Sequence, residues 1–166
     1  GALQSGAGYF NYIGHGSRTR EGGEGFVRNV DDPSGVDDVA TLTNASALPV
    51  MAALTCTVGD STDPRFESLA QSLALHSGGG VVAGWVPYGL SINDHAVAMN
   101  KAFVKALYGD PDTDGAQVAT LGDAVHEALL HHSQLYEAYP AYSFMREIYR
   151  LEGDPRLRVH QPGNQP

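Results

Sequence analysis

The chain has 166 residues, 42% of them hydrophobic and 17% charged, which is enough for one packed domain and excludes a disordered chain. Lys and Arg total 10 against 19 Asp and Glu, a formal net charge of -9, and no basic stripe exists to hold nucleic acid or an anionic membrane surface. No run approaches the roughly 18 apolar residues of a membrane span. Cys56 is the one cysteine, so no internal disulfide can form.

The chain opens Gly1-Ala2-Leu3-Gln4, with no initiator Met and no signal-like segment, and a strand pattern begins within ten residues. It is therefore expected to be a piece of a longer polypeptide. Tyr9 to Ile13 is β-rich and stops at Gly14, which predicts a buried strand. Residues 17–35 are polar and rich in Gly and predict a long loop, with a short helix over 36–42. Pro49 to Leu54 predicts a second strand. Apolar residues at 66, 69, 70, 73 and 74 fall at helical spacing, and Gly78-Gly79-Gly80 ends that helix. Val81 to Val86 predicts a third strand, closed by Pro87. Asn93 is placed to cap a helix running to about Tyr108, and Thr120 to cap the next. Gly153-Asp154-Pro155 marks a turn, Leu157 to Val159 a last short strand, and 161–166 a frayed tail.

Apolar strands alternating with amphipathic helices specify an α/β domain with a mainly parallel sheet. In such sheets ligands bind beyond the carboxyl ends of the strands. His15 follows the first strand and Cys56 the second, so the fold would bring both to one edge, roughly 5 Å apart on neighbouring strands or 10 Å with one strand between. A thiol and an imidazole so placed form a nucleophile and its proton acceptor, and the backbone N–H groups of Gly16 and Cys56 could stabilise an oxyanion. The competing reading is a buried small cysteine and a turn histidine.

Other residues invite chemistry. Trp85, Tyr88 and Asp94 follow the third strand at the same edge; an aromatic wall beside a carboxylate suits a basic side chain. Asp60, four residues after Cys56, is a second candidate for that wall. Trp85 could equally be core, and Asp94 could serve the first turn of the next helix. Asp110, Asp112 and Asp114, with Gly115, match the start of a calcium loop, but its twelfth position is Leu121, so the readings are a structural calcium completed by outside ligands or a solvated acidic turn. His126 and His131 lie about 140° apart on a helix, which is wrong for a zinc-protease pair and predicts surface histidines. Ser17 and Ser91 lack a nucleophile elbow.

Four blocks taken together, Tyr12-Ile13-Gly14-His15-Gly16-Ser17, Leu54-Thr55-Cys56-Thr57-Val58-Gly59-Asp60, Gly78-Gly79-Gly80-Val81-Val82-Ala83 and Leu151-Glu152-Gly153-Asp154-Pro155-Arg156-Leu157-Arg158, resemble the gingipain family of cysteine peptidases, in the same order and across nearly the whole chain. The resemblance implies a caspase-like three-layer sandwich, incomplete here, with residues 1–160 as the carboxy-terminal part of the peptidase domain. It implies a His–Cys dyad at His15 and Cys56, hydrolysis of peptides or proteins through a thioester, and no required cofactor. It further implies an upstream segment of the same precursor that completes the sheet, and a secreted or surface protein, a cytoplasmic one staying open. Arg over Lys and abundant Ala, Gly and Asp suit a bacterial source. The pocket residues favour cleavage after Arg or Lys. The alternative function is an idle scaffold that binds peptides or partner proteins.

Overall fold

The computed structural model describes residues 3–109 and 117–159. The acidic loop with Asp110, Asp112 and Asp114 and the tail from 161 lie outside the described residues. A four-stranded sheet forms the centre, in the order β1 (Tyr9–Ile13), β5 (Val50–Leu54), β6 (Ala83–Pro87), β7 (Tyr149–Glu152). β1, β5 and β6 are parallel and β7 joins antiparallel. β5 and β6 are buried on both faces, which explains their unbroken apolar runs.

Helices cover each face. α1 (Leu69–Leu75) packs on one face with Phe10, Met51, Ala53 and Val86; α2 (Asn93–Tyr108) and α3 (Leu121–Leu135) pack on the other with Val50, Ala52 and Trp85. This is the α/β three-layer arrangement expected, with its sheet open at β1. A one-turn helix α4 (Phe144–Ile148) runs straight into β7.

Several boundaries differ from the sequence expectation. Residues 17–35 are not a bare loop: β2 (Gly16–Ser17), β3 (Arg20–Glu21) and β4 (Val27–Arg28) form a small antiparallel sheet. The fourth main strand is Tyr149–Glu152, not 157–159, because its Tyr-Arg-Leu-Glu alternation pairs with β6. The first helix starts at Leu69 after a capping box on Ser68 and Gln71. Asn93 is inside α2 and makes no side-chain cap. The glycine run acts less as a helix stop than as a close crossing: Gly80 has φ +111°, and a Cβ there would lie 2.0 Å from the Leu73 carbonyl oxygen.

α2 and α3 also bury a pair of histidines. His95 Nδ1 and His132 Nε2 are 2.9 Å apart, and the ring of Tyr136 stacks on His95. Burial, with His95 and Arg146 adding to it, pushes the His132 imidazole down to about 4. His126 and His131 are exposed, as their helix spacing requires.

Candidate active site

β1 and β5 are neighbours, and their register pairs Ile13 with Leu54. His15 and Cys56 each stand two residues beyond that pair, so the chain delivers them to the same sheet edge at the same level. Both line one cleft of about 350 Å³, with Gly14, Leu54, Thr55, Ser91 and Asn93. His15 is exposed and Cys56 half-buried.

Each residue is held by its backbone. The His15 carbonyl accepts from the Gly22 N–H at 2.7 Å and from the Tyr12 hydroxyl at 2.7 Å. The first turn of α1 ties the two loops together, since the Leu69 N–H donates to the Arg18 carbonyl and the Ala70 N–H to the Val58 carbonyl. Those are N–H groups a helix start cannot satisfy internally. The Arg18 guanidinium then donates to Asp60 at 2.8 Å, bridging the same two loops through side chains.

The segment after Cys56 bonds to the end of β6 and the residues beyond it: Thr57 N–H to the Gly89 carbonyl and Gly59 N–H to that of Pro87. Thr57 takes φ +50°, unusual for a β-branched residue, at the turn that leaves Cys56 at the mouth of the cleft. The Ser91 N–H donates to Cys56 Sγ at 3.5 Å, and the Ser91 hydroxyl meets the Tyr149 hydroxyl at 3.0 Å. The Cys56 thiol in turn points at the Ser91 carbonyl, 4.0 Å away.

Gly16 has a special position. The bond from Gly22 N–H to the His15 carbonyl makes Gly16 and Glu21 a non-hydrogen-bonded pair, so the Gly16 N–H is turned away from β3. A Cβ on Gly16 would come 2.3 Å from Thr55 Oγ1.

The remaining sequence candidates separate. Trp85 is 1% exposed and packs between Phe103 and Tyr149; it is core and not a cleft wall, because β6 is covered on both faces. Tyr88 lies against Gly59 and under the Arg150 guanidinium, 4.9 Å from its ring centre. Asp60 is engaged by Arg18 and Thr62, and the Arg18 hydrogen bond holds its carboxyl down at about 2. Asp94 is exposed in the first turn of α2, beside the cleft residue Asn93. Among the described residues no group of three or more His, Cys, Asp or Glu gathers to hold a metal. Sequence reading missed Tyr12, Arg18 and the Ser91 N–H. Arg18 and Asp60, three and four residues after His15 and Cys56, were the available hint.

The model of the peptidase family C25 matches residues 1–160, and the chain belongs to that family. Its fold is that of gingipain R. The crystal structure of the Arg-specific cysteine proteinase gingipain R (RgpB) superposes with a TM-score of 0.79 at 22% identity, covering 95% of this chain and 34% of that one. A complex of the Porphyromonas gingivalis RgpB pro- and mature domains gives 0.77 at 21%, covering 95% and 35%. A third structure, titled a protease, gives 0.66 at 16%, covering 95% and 36%. The chain thus spans about a third of the structures it matches. No curated protein sequence matches it. No described helix is long and apolar enough to cross a membrane.

Proposed function

We propose that this chain carries the catalytic dyad of a cysteine endopeptidase. The observation that supports it most is the arrival of His15 and Cys56 at the ends of adjacent parallel strands, facing one cleft, with a backbone N–H on the sulfur. His15 takes the thiol proton as Cys56 Sγ attacks the scissile carbonyl. The oxyanion is received by the N–H groups of Gly16 and Cys56. Collapse expels the amine, which takes the proton from His15, and leaves a thioester on Cys56. Water, deprotonated by His15, then hydrolyses the thioester and frees the thiol. The chain's own residues complete this cycle without a cofactor; a structural calcium at Asp110, Asp112 and Asp114 would be an addition to it.

Substrates are peptides or proteins, cleaved after Arg or Lys, with Asp94 walling the pocket. The likeness to an Arg-specific proteinase and the net charge of -9 support a basic preference. An upstream segment of the same precursor pairs with β1, in line with the match to a complex of pro- and mature domains. The working protein is secreted or surface-bound.

The test is a thiol-reactive peptide probe applied to the full-length protein. Rapid labelling of Cys56 that His15→Ala abolishes is the expected result. Cys56→Ala and His15→Ala should each remove turnover with the circular dichroism unchanged. Labelling at the rate of an ordinary exposed thiol, whether or not His15 is present, would instead indicate a peptide-binding scaffold.

A further inference from the structure

Glu21 is the most deeply buried carboxyl in the described chain, at 0% exposure, and neither of its oxygens has a hydrogen-bond partner. It stands opposite Gly16 in the β2–β3 hairpin. Residues of a non-hydrogen-bonded pair share a face with Cβ positions about 4.5–5.5 Å apart. The Gly16 side of that face rests on Thr55 Oγ1 and Val58. Glu21 is therefore lodged between the hairpin that carries His15 and the end of the strand that carries Cys56. Thr55 Oγ1 is itself buried and without a partner.

The charged groups around it bond to other residues. Arg18 donates through one terminal nitrogen to Asp60 and Thr62, its Nε staying buried without a partner, and Arg20, on the opposite face of β3, pairs with Asp32. Arg28 on β4 pairs with Asp38. On β1, the Tyr12 hydroxyl donates to the His15 carbonyl, and burial with the nearby Glu21 and Glu24 raises its pKa. Among the described residues no cation pairs with Glu21, so an ionised Glu21 would be an uncompensated buried charge.

We infer that Glu21 is a positioning residue: as a neutral acid it fills the junction beneath Gly16 and Thr55, keeps the His15–Gly16 segment seated on the Cys56 loop, and on losing its proton to solvent lets that hairpin open. Burial, which pushes the carboxyl up to about 8, places the change at the alkaline side of neutrality. Its consequence for catalysis rests on the dyad reading above; the linkage itself does not. When the hairpin opens, the carboxyl returns to its ordinary value, so opening becomes easier by up to tenfold per pH unit from that value to about 8, then levels off.

Amide hydrogen exchange on the full-length protein measures this directly. Amides of Gly16–Arg28 in the wild type should show that pH-dependent opening constant, and those of α3, on the far side of the sheet, should not. In Glu21→Gln, and in Glu21→Met should the amide variant fold poorly, the slope should vanish. A flat wild-type profile, or the same slope in both variants, overturns the inference. In peptidase assays the wild type should lose kcat, with KM little changed, as pH rises toward about 8 and level off above it, while Glu21→Gln keeps it. Parallel kcat profiles for the two would overturn the positioning role even with a linked hairpin. Absence of turnover at every pH would count against the dyad reading alone, leaving the exchange slope to decide on Glu21.

Discussion

Asp60 and Asp94 each sit within four residues of a group that lines the cleft, yet their surroundings assign them different work. Asp60 accepts from Arg18 at 2.8 Å and from Thr62, so its charge is already spent on joining the His15 and Cys56 loops. Asp94 is exposed, one residue past Asn93. Asp94→Asn should therefore lower kcat/KM for peptides with Arg or Lys before the scissile bond several-fold, about 1 kcal/mol as for an exposed charge pair, and spare uncharged ones. Asp60→Asn should leave the preference intact and cost roughly 1 kcal/mol of stability, since the pair is partly exposed and screened. The carboxyl of Asp60 is held below its ordinary value, so its stabilisation is present above that value and lost as pH falls through about 2; the variant lacks that limb. Kinetics on peptides that vary one position, with thermal melts against pH, separate the two. A preference altered by Asp60→Asn alone would exchange the roles.

At the level of elements, Gly16 shows how a two-residue strand positions chemistry. It crosses Thr55 so closely that any Cβ meets Oγ1 at 2.3 Å and the Val58 methyl at 3.0 Å. Gly16→Ala should push β2 off the Thr55–Val58 segment, cost about 1–3 kcal/mol as overpacking does, and reduce kcat far more than KM. Thr55→Ala removes the nearest obstacle, so the double variant should recover part of both; a strictly additive double variant would show that the contact is not what matters. No periodicity could have announced this strand. Runs of two residues carry no alternation, and so the hairpin, Glu21 and the orientation of the Gly16 N–H were invisible in the sequence. The long elements were legible because burial imposes a pattern: α2 and α3 repeat apolar positions at helical spacing, and β5 and β6 are apolar throughout. β7 was misplaced by several residues because α4 runs into it without a break. Trp85 looked like a cleft residue only because a buried strand end and a cleft mouth read alike.

At the scale of the molecule, the sheet has two edges among the described strands, β7 paired with β6 and β1 paired with β5, and the apolar surface lies beside β1. Beside it lie Ile13, 55% exposed, and Phe26, 64% exposed and stacked on Phe10 and Tyr12. An edge with free backbone groups next to stacked aromatic rings recruits another strand. The 166-residue chain expressed alone should therefore associate in a concentration-dependent way, while the full-length protein, in which the proposed upstream segment pairs with β1, should not. The net charge of -9 opposes contact between copies, so added salt should strengthen association, the reverse of what ion pairing would give. Asn11→Lys places a cation on the exposed side of β1 and Phe26→Ser removes the aromatic cap; each should shift the equilibrium toward monomer in light scattering, and together more so. A wild-type chain that stays monomeric across the accessible concentrations and salt range would show that β1 needs no partner. Association that neither substitution weakens would place the contact elsewhere.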